Sequence, residues 1–332
     1  MGLRILNQAQ ITELLPMAEC VEVMEAALRT LARGEATLPL RTVFRVPPGR
    51  GMFGVMPAHL SKPAALGLKA IGVFPENEGT RLDSHQGLVL LFSPETGAPL
   101  AVMDASSITA IRTAAVSAVA TRALARPDAG DLAILGSGVQ ARTHLEAMAV
   151  ARPLRRVRAW SPHGGRLAAF VEWAGRRFGP PVEPADSAGA AVRGADLICT
   201  ATASATPVVD AGWLQAGVHI NAVGSSTPQA RELDSATVAG ARLVVDRRES
   251  AVHEAGDYLI PLAEGAITDG HIAGELGEVL LGLVPGRRSP AERTVFKSLG
   301  LAIEDLAAAH HVLAKAEARN IGLVADLGGL RA

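Results

Sequence analysis

The stretch Asp131-Leu132-Ala133-Ile134-Leu135-Gly136-Ser137-Gly138-Val139-Gln140-Ala141 decides how this chain is read. Its four consecutive apolar residues, bounded by glycine, predict a short buried strand. Gly136-x-Gly138-x-x-Ala141 follows at once and opens a helix reaching about Ala151. In that setting each small residue has a task. Gly136 allows the tight turn, Gly138 lets a pyrophosphate approach the backbone, and Ala141 permits close helix–strand packing. The helix N-terminus adds unpaired N–H groups and the positive end of its dipole. A glycine pattern alone means little in a chain with 34 glycines and could be a purely structural turn. The strand before it, the helix after it and a second strand over 156–160 favour a dinucleotide site.

Downstream, the strand–helix alternation continues. A helix is expected over 166–178 and strands over 196–200, 218–223 and 241–245, which together make a Rossmann-type, doubly wound parallel sheet. Upstream the texture differs. Residues 8–31 carry apolar positions at helical spacing, broken at Pro16. Short apolar runs at 42–46, 52–55, 66–73, 88–92 and 99–103 then alternate with turn signals such as Pro47-Pro48-Gly49 and Pro94-Glu95-Thr96-Gly97, a strand meander. Ser106 or Ser107 is expected to cap an Ala-rich helix that runs to about Ala125 and stops before Pro127. The segment from Val295 onward reads as helical. At 332 residues the chain exceeds what one core usually serves. The expected fold is therefore α/β in two domains: a substrate domain over 1–125, a nucleotide domain over 126–295, and C-terminal helices over 296–332 returning to the first.

Composition excludes several functions. Lys and Arg total 32 against 33 acids, which argues against a nucleic-acid binder built on phosphate contacts. Aromatic residues are few (Phe 7, Trp 3, Tyr 1), so base-stacking platforms are not expected. Cys20 and Cys199 form neither a disulfide framework nor a zinc-ligand pattern. His310-His311 and His271-x-x-x-Glu275 have ligand-like spacing, but no further cluster completes a site, and no metal is expected. His85 precedes a strand and is a candidate to line the cleft. There is no signal-peptide pattern, and the longest charge-free stretch, 211–230, is too polar and glycine-rich to span a bilayer. A soluble cytoplasmic protein is expected.

The end of the second nucleotide-domain strand bears on cofactor choice. NAD-preferring sites usually place an acid there for the ribose hydroxyls. Here the run is Trp160-Ser161-Pro162-His163-Gly164-Gly165-Arg166, without an acid. Ser161, His163 and Arg166 are candidates to hold a 2′-phosphate, so NADP(H) is favoured and NAD(H) remains open; Arg166 could equally be a solvated helix residue.

Four basic residues sit in apolar surroundings. Lys69 lies in a strand apolar on both faces, where a lysine needs an anion or loses its proton. Arg112 lies in a helix with no acid between Asp104 and Asp128. Arg41 and Arg45 share one strand face. Each could pair with a distant carboxylate or reach solvent. Together, in a dinucleotide-binding protein, Arg41, Lys69 and Arg112 read better as the site of a small carboxylate substrate.

With these pieces placed, the chain resembles the ornithine cyclodeaminase/mu-crystallin family over nearly its whole length. The matching stretches are Arg41-Thr42-Val43, Gly54-Val55-Met56-Pro57-Ala58, Ser84-His85-Gln86-Gly87, Ala101-Val102-Met103-Asp104 and Ile108-Thr109-Ala110-Ile111-Arg112-Thr113-Ala114-Ala115. They continue with Leu135 to Ala141, His219-Ile220-Asn221-Ala222-Val223-Gly224, Glu275-Leu276-Gly277-Glu278 and Phe296-Lys297-Ser298-Leu299-Gly300. The resemblance implies a Rossmann domain beside an α/β domain formed from both chain ends, the latter mediating homodimerisation. It implies that Arg41, Lys69 and Arg112 face the substrate carboxylate. It also implies that Thr113 and Gly136, Ser137, Gly138, Val139 and Gln140 hold the pyrophosphate, with Val223 and Ser298 near the nicotinamide.

Family members divide by chemistry into cyclodeaminases, ketimine reductases and amino-acid dehydrogenases. Cyclodeaminases carry an aspartate two residues after the Val-Gly pair, and this chain has Ser226 there. A serine cannot hold a proton as a carboxylate does. At that point the sequence is similar to the mu-crystallin-like ketimine reductases. The expected function is NAD(P)H-dependent reduction of a small α-imino acid or cyclic ketimine, of the pyrroline- or piperideine-2-carboxylate type, to an L-amino acid. Ornithine cyclodeamination, amino-acid dehydrogenation and a mu-crystallin-like role in binding small ligands are the alternatives.

Overall fold

The computed structural model describes residues 2–47, 49–77 and 80–328. Pro48 of the expected Pro47-Pro48-Gly49 turn and the last four residues of the expected C-terminal segment lie outside them. The described chain forms two compact units, one from residues up to Arg112 together with those from Leu301 onward, the other Thr113–Gly300. The divisions expected from turn signals fell after 125 and 295. Packing parts the chain elsewhere because the second half of the helix Ala105–Leu124 is buried in the nucleotide-type unit, where Ser117 Oγ lies 2.9 Å from His144 Nε2 and Asn221 Nδ2 donates to Thr121 Oγ1 at 2.9 Å.

In the first unit the strands are β1 (Gly2–Leu6), β2 (Ala36–Thr37), β3 (Thr42–Val46), β4 (Gly51–Leu60), β5 (Ala65–Val73), β6 (His85–Phe92) and β7 (Pro99–Asp104). The expected meander is there: β4 to β7 pair antiparallel in sequence order, and β3 pairs with β4. β1 lies parallel to β7 at the far side. Helix Met17–Ala32 starts directly after Pro16 and buries Val21, Met24 and Leu28 at helical spacing. The Ala-rich helix is capped by Asp104, whose Oδ1 accepts from the Ser107 N–H at 2.8 Å and hydroxyl at 2.7 Å. That corrects the expected serine cap: a carboxylate held at the end of β7 reaches two donors at once.

The second unit holds β8 (Asp131–Leu135), β9 (Arg156–Trp160), β10 (Val182–Pro184), β11 (Leu197–Thr200), β12 (His219–Ala222), β13 (Arg242–Val245), β14 (Ile272–Glu275) and β15 (Thr294–Lys297). All are parallel, in the order β10-β9-β8-β11-β12-β15-β13-β14. The Rossmann expectation holds, with one correction. Residues from 295 onward are not all helical: β15 runs through the sheet between β12 and β13, and β16 (Leu323–Asp326) returns antiparallel to β1. A four-residue Thr-Val-Phe-Lys strand ending in lysine is too short and too mixed to announce itself. Between them stands the helix Ala302–Arg319, buried along Ile303, Leu306, Ala309 and Leu313 and packed on β4, β5 and the helix Met17–Ala32. It ends where Asn320 takes the left-handed conformation, φ 52°.

Candidate active site

β8 delivers the chain to a turn at the C-terminal edge of the parallel sheet, the side on which such folds bind ligands. Gly136 has φ +120°, and a Cβ there would meet the carbonyl oxygen of Ala201 at 2.4 Å. Only glycine fits. Its N–H donates to the Trp160 carbonyl at 2.8 Å, and Gly138 is the N-cap of helix Val139–Ala151, with no side-chain cap. Open space surrounds the position a Gly138 Cβ would take, and Ala141 is fully buried. First-turn N–H groups are thus left to a ligand. Gln140 Oε1 and Ser298 Oγ are buried without a hydrogen-bond partner. Two orphaned polar atoms and a cradle free of side chains fit a dinucleotide.

The other expected cofactor residues are distributed as follows. Val223 and Ser298 come together at the ends of neighbouring strands: the Val223 N–H donates to the Thr200 carbonyl at 3.1 Å and the Ser298 N–H to that of Ala222 at 3.1 Å. Thr113 is buried on its helix. His163 and Arg166 are exposed just beyond β9. Ser161 is buried instead, and its hydroxyl accepts from Ser137 Oγ at 3.0 Å. It braces the glycine turn. Ser226 is exposed beyond β12.

In the first unit, Lys69 points inward from β5 and Arg112 from the Ala-rich helix; both are 3% exposed. Neither is alone. Lys69 Nζ lies 2.7 Å from Asp305 Oδ2, Arg112 Nε donates to Asp305 Oδ1 at 2.8 Å, and Arg112 Nη1 donates to Glu304 Oε2 at 2.7 Å. Glu304 and Asp305 are fully buried in the helix Ala302–Arg319. Two cations and two carboxylates therefore alternate in a dry cluster. Burial pushes the Lys69 ammonium down to about 8, with Asp305 pulling it up and Arg112 and Arg41 pressing it down. Burial alone would raise Asp305, but Arg112 and Lys69 outweigh it and hold the carboxyl low. Arg41 is close enough to be felt by Lys69, and His85 is lowered by burial and then by Lys69. Arg41, Lys69, Arg112 and His85 thus share one neighbourhood.

Sequence reasoning missed Glu304 and Asp305. Their signal was an acidic pair, Ile303-Glu304-Asp305-Leu306, on the apolar stripe of a helix otherwise rich in Ala. It also missed the buried Lys297, Asp257 and Glu232. Among the described residues no group of three or more His, Cys, Asp or Glu is arranged to hold a metal, and no helix is long and apolar enough to cross a membrane.

A doubly wound sheet with a glycine turn that admits pyrophosphate, in one chain with a buried lysine–arginine cluster, defines a nicotinamide-dinucleotide oxidoreductase acting on small acids. The chain belongs to the ornithine cyclodeaminase/mu-crystallin family, whose model matches residues 3–320. It is 42% identical to the ketimine reductase mu-crystallin of Mus musculus over 292 residues, 86% of this chain and 88% of that protein. The solved structure of Thermococcus litoralis Δ1-pyrroline-2-carboxylate reductase with NADH and L-proline is 40% identical and superposes with a TM-score of 0.94, covering 97% of this chain and 99% of that one. An archaeal alanine dehydrogenase dimer with bound NAD is 35% identical, with a TM-score of 0.93 over 99% of this chain and 100% of that one.

Proposed function

We propose that this protein is an NAD(P)H-dependent reductase of cyclic α-imino acids of the pyrroline- or piperideine-2-carboxylate type, giving the L-amino acid. The observation that carries this reading is Lys69: a buried ammonium, poised near pH 8, tethered to Asp305 and flanked by two arginines. The nicotinamide, when bound, supplies a hydride to the imine carbon. The chain's own residues do the rest. Arg41 and Arg112 hold the substrate carboxylate, to which a guanidinium offers two parallel donors. Lys69 Nζ–H gives the proton that the imine nitrogen needs as its double bond is reduced. Asp305 keeps Lys69 in place and charged enough to do so. Thr113 and Gly136, Ser137, Gly138, Val139 and Gln140 hold the pyrophosphate, while Val223 and Ser298 flank the nicotinamide.

The finer choices belong to the same proposal. NADP(H) is accepted at least as well as NAD(H), supported by the absence of an acid over 160–166 and the exposed His163 and Arg166. Ser161, being buried against Ser137, contributes by shaping the turn. The protein works as a homodimer in the cytoplasm, in keeping with the dimeric archaeal relative and two free thiols, Cys20 and Cys199. The domains act as a substrate part drawn from both chain ends and a dinucleotide part between them.

The experiment is a panel of preformed cyclic imines, linear imines, ornithine and alanine with both cofactors. Consumption of NAD(P)H with the cyclic imines and negligible ammonia from ornithine is expected, since Ser226 offers no base for the attacking amine. Loss of general-base help costs on the order of 10² to 10⁴ in rate. Efficient conversion of ornithine to proline without net cofactor use would replace this reading with cyclodeamination.

A further inference from the structure

Three charged side chains in the nucleotide-type unit take no part in the reaction described above, yet are almost completely withdrawn from water. Glu232 and Lys297 are fully buried and Asp257 is 2% exposed. Burying such groups is costly unless their partners are good. Here they are. Lys297 Nζ lies 2.9 Å from Asp257 Oδ2 and donates to the Ser225 carbonyl at 2.5 Å. Asp257 Oδ1 accepts from the N–H groups of Glu232 at 2.8 Å and Leu233 at 2.9 Å. Glu232 Oε2 accepts from Thr200 Oγ1 and the Gly224 N–H, each at 2.6 Å, while Oε1 accepts from the Thr202 N–H at 2.8 Å and hydroxyl at 2.7 Å.

The placement is what gives this network a consequence. Thr200 ends β11, Lys297 ends β15, and Gly224 lies two residues beyond β12, all at one edge of the sheet. That is the edge carrying the Gly136 turn, which presses on Ala201, the residue between Thr200 and Thr202. A Cβ on Gly224 would lie 2.2 Å from the Thr202 carbonyl oxygen and 2.4 Å from Glu232 Oε1, so glycine is required for the carboxylate to reach this N–H. The peptide run 224–225 is pinned at both ends by opposite charges: its N–H by Glu232, its carbonyl by Lys297. Val223 and Ser226 flank that run, and Ser298 follows Lys297. Burial raises the Glu232 carboxyl, against Lys297, Thr200 and Thr202, which lower it. A backbone N–H on each of its oxygens favours the carboxylate, and with Glu232 ionised the three groups sum to one negative charge.

We propose that Glu232, Asp257 and Lys297 are positioning residues that set the Val223–Ser226 loop for the nicotinamide and place one net buried negative charge beneath it, so that the oxidised, cationic ring is favoured over the reduced, neutral one. The physical basis is Coulombic: in a dry site a fixed anion discriminates between ring states that differ by one charge. Tight retention of the oxidised ring lowers the cost of giving up the hydride. This inference rests on the dinucleotide part of the proposed function, but needs no substrate for its test.

Dissociation constants for NADH and NADPH, by their fluorescence, and for NAD+ and NADP+, by competition, are compared in the wild type, Glu232→Gln, Asp257→Asn and Lys297→Met. Removing an acid raises the ratio of oxidised to reduced dissociation constants by about fivefold, the low end of ordinary couplings between sites. Removing the lysine lowers it. Asp257→Asn carries the acid test if Glu232→Gln does not fold, with circular dichroism reporting which variants do. Opposite shifts cannot come from a general loosening of the fold. A ratio unmoved in the folded variants, or moved in the same direction by all of them, overturns the inference. If the wild type binds dinucleotide with the expected ratios but reduces no cyclic imine, the proposed function fails while this inference stands.

Discussion

Lys69 Nζ lies 2.7 Å from Asp305 Oδ2, and both side chains are withdrawn from solvent. The two residues are 236 positions apart in a chain that gives no local hint of their meeting, and their pairing decides the protonation state of this buried cluster. Without Asp305, burial and two neighbouring arginines would drive Lys69 towards neutrality. With it, the ammonium survives to about 8.

The pH dependence follows. Imine reduction needs a proton, so kcat/KM is expected to fall above about pH 8 as Lys69 is deprotonated. Asp305→Asn removes the partner that raises the lysine and moves this alkaline limb to lower pH. Stability runs the other way. Between about 8 and the ordinary 10.5 the unfolded chain holds a proton that the folded chain has released, so this group's contribution to stability rises with pH in that window. Steady-state profiles of the wild type and Asp305→Asn check the first point; an unmoved limb would remove Lys69 from the role of proton donor.

Arg112→Ala is expected to abolish measurable reductase activity, and also to destabilise. It strips Glu304 and Asp305 of their shared cation, and breaking a buried pair of this kind costs about 3–5 kcal/mol. Adding Glu304→Gln to Arg112→Ala should recover part of the lost Tm without recovering turnover. Activity returning together with stability would make Arg112 a purely structural residue.

Gly136→Ala should lose dinucleotide binding. The alanine would need a positive φ of 120° and a Cβ only 2.4 Å from the Ala201 carbonyl oxygen. Strain of this kind costs on the order of 1–3 kcal/mol, and relief means moving the turn. Titration with NADPH and NADH, followed by fluorescence, reads the effect directly; wild-type affinity in this variant would refute the assigned cradle.

For cofactor choice, parallel kinetics should give NADPH a kcat/KM at least equal to that of NADH. His163→Ala and Arg166→Ala should raise KM for NADPH while leaving that for NADH largely unchanged, because only the former carries the 2′-phosphate. A marked preference for NADH in the wild type would leave both residues without this role.

Much of this was legible in the sequence because it depends on local order. The Gly136–Gly138–Ala141 spacing after four apolar residues identifies the turn between β8 and the helix Val139–Ala151, since the shape of a strand–turn–helix is set by neighbours in the chain. Short apolar runs between turn residues mark β4 to β7 for the same reason. Pro16 separates two helices by removing a backbone donor. The unusual setting of Lys69 and Arg112 was equally visible, as charges among apolar residues with no nearby acid.

What answers those charges was decided only by tertiary structure. Glu304 and Asp305 arrive from a helix near the other end of the chain, brought back after β15 closes the parallel sheet, and no local periodicity encodes a contact over such a separation. The strand identity of 294–297 was likewise hidden: four residues become a strand because β12 and β13 leave a gap between them that must be filled by a hydrogen-bonded backbone. Burial of Glu232, Asp257 and Lys297 has the same origin. Which charges occur is written in the chain, but which of them lose their water, and whom they face when they do, is set by how the two units pack within themselves.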